Sequence, residues 1–261
     1  MVPIERIKQA QATTEEARKM GLERVIRPSI RSVFAQMVVE YVATLTATGL
    51  VPNAAVFQSE WEAIFLRHYR RVGRVFLPNQ RRSKFYGVLT MTKQDLTTEE
   101  NQTLILSFGT WSRGFGAQQS ALVTQTNQSD YTGAFQRANE EVEDGSIAVV
   151  AAAAGVILRN LFSGRESAIA NVQTQAPAEE AKSQEADALV EARRDTVGQQ
   201  DKTWVTQRDE RVRGAHVEAD RQVRAQDEFF VVAGELLKYP GDTSQGASVQ
   251  NIINCRCSAL Y

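Results

Sequence analysis

Between residues 31 and 48, Val33, Phe34, Met37, Val38, Tyr41, Val42 and Leu45 recur at three- and four-residue intervals. That spacing lines up apolar side chains on one face of a helix. Gly49 is placed to stop it, because glycine reaches the left-handed conformation that closes a helix. A second stripe follows, in which Trp61, Phe65, Tyr69, Val72 and Phe76 fall on one side of a helix. Arg67, Arg70, Arg71 and Arg74 fall on the other. Ser59 and Glu62 form a capping-box pair ahead of this helix, and Pro78 ends it.

Thr97 and Glu100 give another capping box before Leu104, Ile105 and Phe108, while Gly109, Gly114 and Gly116 weaken the helix beyond them. Residues 117–142 are polar, with Leu122, Tyr131 and Phe135 as occasional anchors. Ser146 is placed to cap an alanine-rich helix through about Phe162, and residues 176–195, rich in Ala and Glu, read as an exposed helix or helical linker. The character changes near residue 200. Thr206 with Asp209 suggests a helix start running through Arg213 and His216. Phe229-Phe230-Val231-Val232 is a short buried strand, Pro240-Gly241-Asp242 a turn, and 249–260 a closing strand. The pattern predicts an α+β chain: a mostly helical N-terminal body over 1–163, a helical linker over 164–200, and a small C-terminal α+β module over 201–261.

The 261 residues suffice for a sizeable core in one or two domains, and 43% hydrophobic with 23% charged residues is ordinary for a soluble protein. The longest apolar run, 147–158, is short of the roughly 20 residues a bilayer span needs, so it reads as a buried helix. No apolar leader follows Met1, and cytoplasmic synthesis without a membrane partner is the expectation. Two cysteines, Cys255 and Cys257, are the whole supply, and one intervening residue makes them a poor disulfide pair. The near-zero net charge conceals a split. Residues 1–94 carry 15 Lys/Arg against 7 Asp/Glu, whereas residues 95–261 carry 15 against 24. Such asymmetry suggests an anionic partner for the first half.

Within that half, residues 63–94 hold no acid and eight Lys/Arg, among them Arg67, Arg70, Arg71, Arg74, Arg81, Arg82 and Lys84, interleaved with Tyr69, Phe76, Phe85 and Tyr86. A strip of this kind suits phosphates, read through the backbone and not by sequence. A solvated helix face paired with acids from the rest of the chain is the other reading. In the second half, Asp209, Val212, Arg213, His216 and Asp220 share a face if they are helical. Either they form a structural polar network or His216 is a catalytic histidine oriented by an acid. No telling nucleophile accompanies it. Cys255 and Cys257 would project to one side of a strand with Arg256 turned away. They are buried thiols, or with His216 they supply three soft ligands for zinc, needing a fourth from Asp209 or water. Tyr239-Pro240-Gly241-Asp242 is a turn-former, and Asn254 invites backbone bonds. No phosphate loop, dinucleotide fingerprint, His-Glu-x-x-His or calcium loop is present in the sequence, which argues against several large enzyme classes.

Taken in order, Trp204, Asp209, Arg211, Arg213 and His216, a Phe-rich apolar run, Tyr239-Pro240-Gly241-Asp242 and then Asn254-Cys255-Arg256-Cys257 resemble the signature of the Mu F-like phage head morphogenesis proteins. The resemblance is specific over 200–261 and weaker over 145–180. There Arg165 to Ala170, followed by Thr174-Gln175, looks like a blurred form of an Ile-Ala-x-Thr-Glu stretch. The family's Asp-Gly-Gln step after the histidine is Asp220-Arg221-Gln222 here. Arginine disfavours a positive φ, so that turn is expected to give way to helix. The resemblance implies a structural minor head protein of a tailed phage, not an enzyme and without a cofactor. Its signature residues would serve mainly as architecture. The implied partners are the portal, the major capsid or scaffolding protein, and packaged double-stranded DNA, and the implied location is the inside of the head after assembly in the host cytoplasm. The chain stops four residues past Cys257, so no appended toxin or nuclease domain is expected. The alternatives are a nuclease-like enzyme using His216 and nearby arginines, or a non-specific DNA-binding accessory protein.

Overall fold

The computed structural model describes residues 4–77, 96–142, 145–192 and 201–261. Four long helices, α1 (Ile4–Thr48), α2 (Gln58–Phe76), α3 (Thr98–Glu141) and α4 (Ile147–Glu191), precede a tail of short elements. These are β1 (Asp201–Val205), α5 (Gly214–Ala219), β2 (Val223–Ala225), β3 (Phe230–Val232), β4 (Glu235–Leu237), α6 (Val249–Ile252) and β5 (Ser258–Leu260). The class is α+β, mostly helical with a small C-terminal α+β part, as expected. The chain divides into two compact units, one made of Arg24–His68 and Arg113–Ala170, the other of Met1–Glu23, Tyr69–Ser112 and Asn171–Tyr261. Breaks at 163 and 200 do not coincide with these units.

The first unit is all helical. The predicted stripe on α1 is its core, with Val33, Phe34, Met37, Val38, Tyr41 and Leu45 buried. Phe34 stacks on Phe162 at 4.3 Å and meets Trp61 edge-on at 5.1 Å. The Tyr41 hydroxyl donates to the Tyr131 carbonyl and the Tyr131 hydroxyl to the Met37 carbonyl, each at 3.1 Å. Gly49 ends α1 at φ +72°, its N–H bonded to the Leu45 carbonyl. Gly155 interrupts the alanine run for a steric reason, since a Cβ there would lie 2.6 Å from Val42 Cγ2. The entry to α2 differs from the expected Ser59–Glu62 box. Asn53 caps a 3-10 turn (Ala54–Phe57) that leads directly into the helix, so Ser59 lies inside it.

α3 begins with the expected box, Glu100 Oε2 accepting from Thr97 N–H at 2.6 Å and Thr97 Oγ1 from Glu100 N–H at 3.2 Å. It then runs unbroken through Gly109, Gly114 and Gly116 and through the polar stretch after them. A glycine in a helix costs about 1 kcal/mol, while burying a phenylalanine returns roughly 1.5–3. Phe108, Phe115 and Tyr131 are all buried. The twelve-residue apolar run belongs to the 45-residue α4, which is long and apolar enough by length and composition to cross a membrane. Here its Val150, Ala151, Ala154, Leu158 and Phe162 lie in the core.

The second unit holds the tail. β1 pairs antiparallel with both β2 and β5, giving the order β2-β1-β5, and β3 pairs with β4. Trp204, Ala219, Phe230, Val232, Leu237, Tyr239, Cys255, Cys257 and Ala259 form one core. The expected exposed helix at 176–195 is instead buried over much of its described length. Ala176, Ala178, Glu179, Ala181, Lys182 and Ser183 are all at most 3% exposed. Its polar groups satisfy the tail's backbone: Lys182 Nζ donates to the Ala259 carbonyl, Gln175 Nε2 to the Cys257 carbonyl, and Glu179 Oε2 accepts from Ala259 N–H. The residues expected to close the fold as a strand form α6 first, and only Ser258–Leu260 is strand.

Candidate functional site: a buried histidine and two cysteines

α5 starts at Gly214, not at Thr206, because Asp209 to Arg213 form a loop in which Asp209 Oδ1 accepts from the Arg211 N–H. The expected shared face of Asp209, Val212, Arg213, His216 and Asp220 therefore does not exist. Asp209 reaches forward to a two-pronged ion pair with Arg256, at 2.5 and 2.9 Å, which holds its carboxyl below the usual value. Asp220 accepts from Thr206 N–H and Oγ1 and from Arg208 Nε. Neither carboxylate orients His216 through these bonds.

His216 is 2% exposed and faces the two thiols. Its Nδ1 lies 3.4 Å from Cys257 Sγ and 3.7 Å from Cys255 Sγ. Trp204 meets the imidazole edge-on at 5.8 Å and is itself met edge-on by Phe230 at 5.3 Å. Arg213 donates through Nη1 to the Ile253 carbonyl at 2.6 Å, and its Nη2 sits 3.4 Å from His216 Nε2. The cysteines alternate as a strand would place them, with both sulfurs inward and Arg256 outward, although they precede β5. Asn254, at φ +55°, makes the turn that allows this, a conformation asparagine tolerates. Lys19 Nζ and Gln175 Nε2 both donate to the Cys257 carbonyl, at 3.1 and 2.8 Å.

Hydrogen bonds from Cys257 and His216 hold the Cys255 thiol well below its ordinary value despite burial. Donating that bond and being buried push Cys257 well above it. Glu16, facing Lys19, Arg256 and Cys255, is pushed up to about 7 by burial. A small half-open recess reaches the cluster, lined by Arg211, Val212, Arg213, His216 and 254–257.

The remaining residues of the series lie in the core and its turns. Tyr239 is in the core; Pro240 and Gly241 form the turn, with Gly241 at φ +89°. Asp242 closes it, its carboxylate accepting from Lys238 N–H, Ser244 N–H and Ser244 Oγ. The step after α5 is a turn and not helix, contrary to expectation. Arg221 adopts φ +65°, held by its N–H to the Trp204 carbonyl while Trp204 N–H reaches the Gln222 carbonyl. Sheet pairing overrides the arginine's preference.

On α2, Arg67, Arg70, Arg71 and Arg74 lie on the face opposite buried Trp61, Phe65, Tyr69, Val72 and Phe76, and all four are exposed. Arg81, Arg82 and Lys84 lie outside the described residues. Sequence reasoning missed Lys19, Glu179 and Lys182, whose charges are buried around β5. No family model, curated protein or solved structure matches the chain.

Proposed function

We propose that this chain is a structural minor head protein of a tailed phage that docks on the portal during head morphogenesis. The reading rests on the resemblance of its last sixty residues to the Mu F-like signature. One observation supports it most: the separated signature residues gather into a single packed module. Trp204, Tyr239, Cys255 and Cys257 share one core with β-strand and α5 residues, and Asp242 and Asp209 brace its loops. The left-handed Arg221, where the family has glycine, fits the same reading. These residues act as architecture, and catalysis is not their role. The arginine face of α2 is the surface offered to packaged DNA, through backbone phosphates. Co-purification of the chain with portal-containing procapsids, and not with portal-free ones, is the test.

A further inference from the structure

We infer that His216, Cys255 and Cys257 form a zinc site with an open fourth position. The three donors stand on two separate segments, α5 and the stretch between α6 and β5. Yet His216 Nδ1 and the two sulfurs lie within 4.8 Å of one another, all buried. Tetrahedral zinc, with bonds of about 2.3 Å to sulfur and about 2.0 Å to nitrogen, sets its ligand atoms roughly 3.5–3.8 Å apart. The two nitrogen–sulfur separations, 3.4 and 3.7 Å, match that spacing closely. Two thiolates and one imidazole are a soft donor set that favours zinc over magnesium or calcium.

The surroundings suit the charge. Arg211, Arg213 and Arg256 line the recess that opens on the cluster, so the fourth position faces solvent and cationic side chains. It would take water, hydroxide or a small anion. Outer bonds are in place as well, because Lys19 and Gln175 fix the Cys257 carbonyl and Trp204 fixes the ring. Arg213 Nη2 faces His216 Nε2, which leaves the ring proton on Nδ1, pointing at sulfur. Binding at Nδ1 moves that proton to Nε2, and the guanidinium must turn off it while keeping its bond to the Ile253 carbonyl. Zn²⁺ then forms two Zn–S bonds and one Zn–N bond, both sulfurs binding as thiolates, and any proton they still carry leaves to solvent. The site's role is to cross-link α5 to the cysteine segment without a disulfide. It stands independently of the head-assembly reading.

The experiment uses the full-length protein purified under reducing conditions and without chelator, with metal content measured by mass spectrometry. About one zinc per chain is expected. After removal of the metal, added Co²⁺ should produce sulfur-to-cobalt charge-transfer absorption saturating at about one equivalent. Cys257→Ser and His216→Ala should each reduce metal content below about a tenth of an equivalent. If either variant fails to fold, the wild-type cobalt titration alone decides. Protein that carries no zinc and shows no charge-transfer band with Co²⁺ would overturn the inference.

Discussion

Lys19 and Glu179, 160 residues apart in the chain, meet at 2.5 Å with side chains 1% and 0% exposed. Glu179 also takes Lys182 at 2.9 Å, and Lys182 takes Glu15 at 2.5 Å. Burial alone would lower the Lys19 value, but Glu179 and Glu15 outweigh it and hold the ammonium charged. The same lysines donate to the carbonyls of Cys257 and Ala259, so a buried ionic cluster anchors β5 and the cysteine segment.

Removing one partner strands the other charge. Lys19→Met should therefore cost about 3–5 kcal/mol, read as a lower midpoint in urea unfolding. The double variant Lys19→Met with Glu179→Leu should recover part of that loss in a double-mutant cycle. Additive losses would mean that the two residues act separately.

Arg221→Gly should stabilise the protein. A left-handed arginine costs about 1 kcal/mol or more, and its ion pairs with Glu5 and Asp220, at 3.5 and 3.7 Å, are largely solvated and worth little. Tm should rise by about 2–4 °C, and a fall would show that those ion pairs matter more than the backbone.

The buried Glu16 carboxyl has its pKa raised to about 7 from 4.5. With the folded value above the unfolded one, the protonated form's contribution is fully present below about pH 4.5 and is lost as pH rises through about 7. Glu16→Gln should flatten the decline in stability across that window and make the variant the more stable form at pH 8. Parallel stability curves for the two proteins would contradict this.

On the proposed function, the α2 arginines bear on DNA and not on folding. Replacing Arg70, Arg71 and Arg74 with Gln should leave Tm within about 2 °C, as for exposed positions. It should also lower the slope of log K against log salt by about one unit for each phosphate left without its arginine. An unchanged slope would assign the strip to ordinary solvation.

How much of this was legible in the sequence varies by element. The α1 and α2 stripes were, because apolar periodicity reports directly on a buried face. The Thr97–Glu100 box and the Pro240-Gly241-Asp242 turn were too, because each is a local hydrogen-bond device. The fate of 176–191 was hidden. Glu179 and Lys182 read as solvent-facing until β5, some eighty residues later, supplies their partners. The short strands β1, β2 and β4 carry too few residues to show an alternation. Of the candidate site, the two cysteines on one side of the chain could be anticipated from spacing, whereas their meeting with His216, 39 and 41 residues away, was one of two open readings. Asp209 could not be placed, because its partner, Arg256, lies 47 residues away. Arg221 misled because sheet pairing sets its φ.

The most direct measurement of the central claim is sedimentation of the full chain with procapsids assembled with and without portal. Recovery in the pellet only when portal is present is the outcome that portal docking requires. Failure to sediment with either, or equal recovery with both, would contradict it.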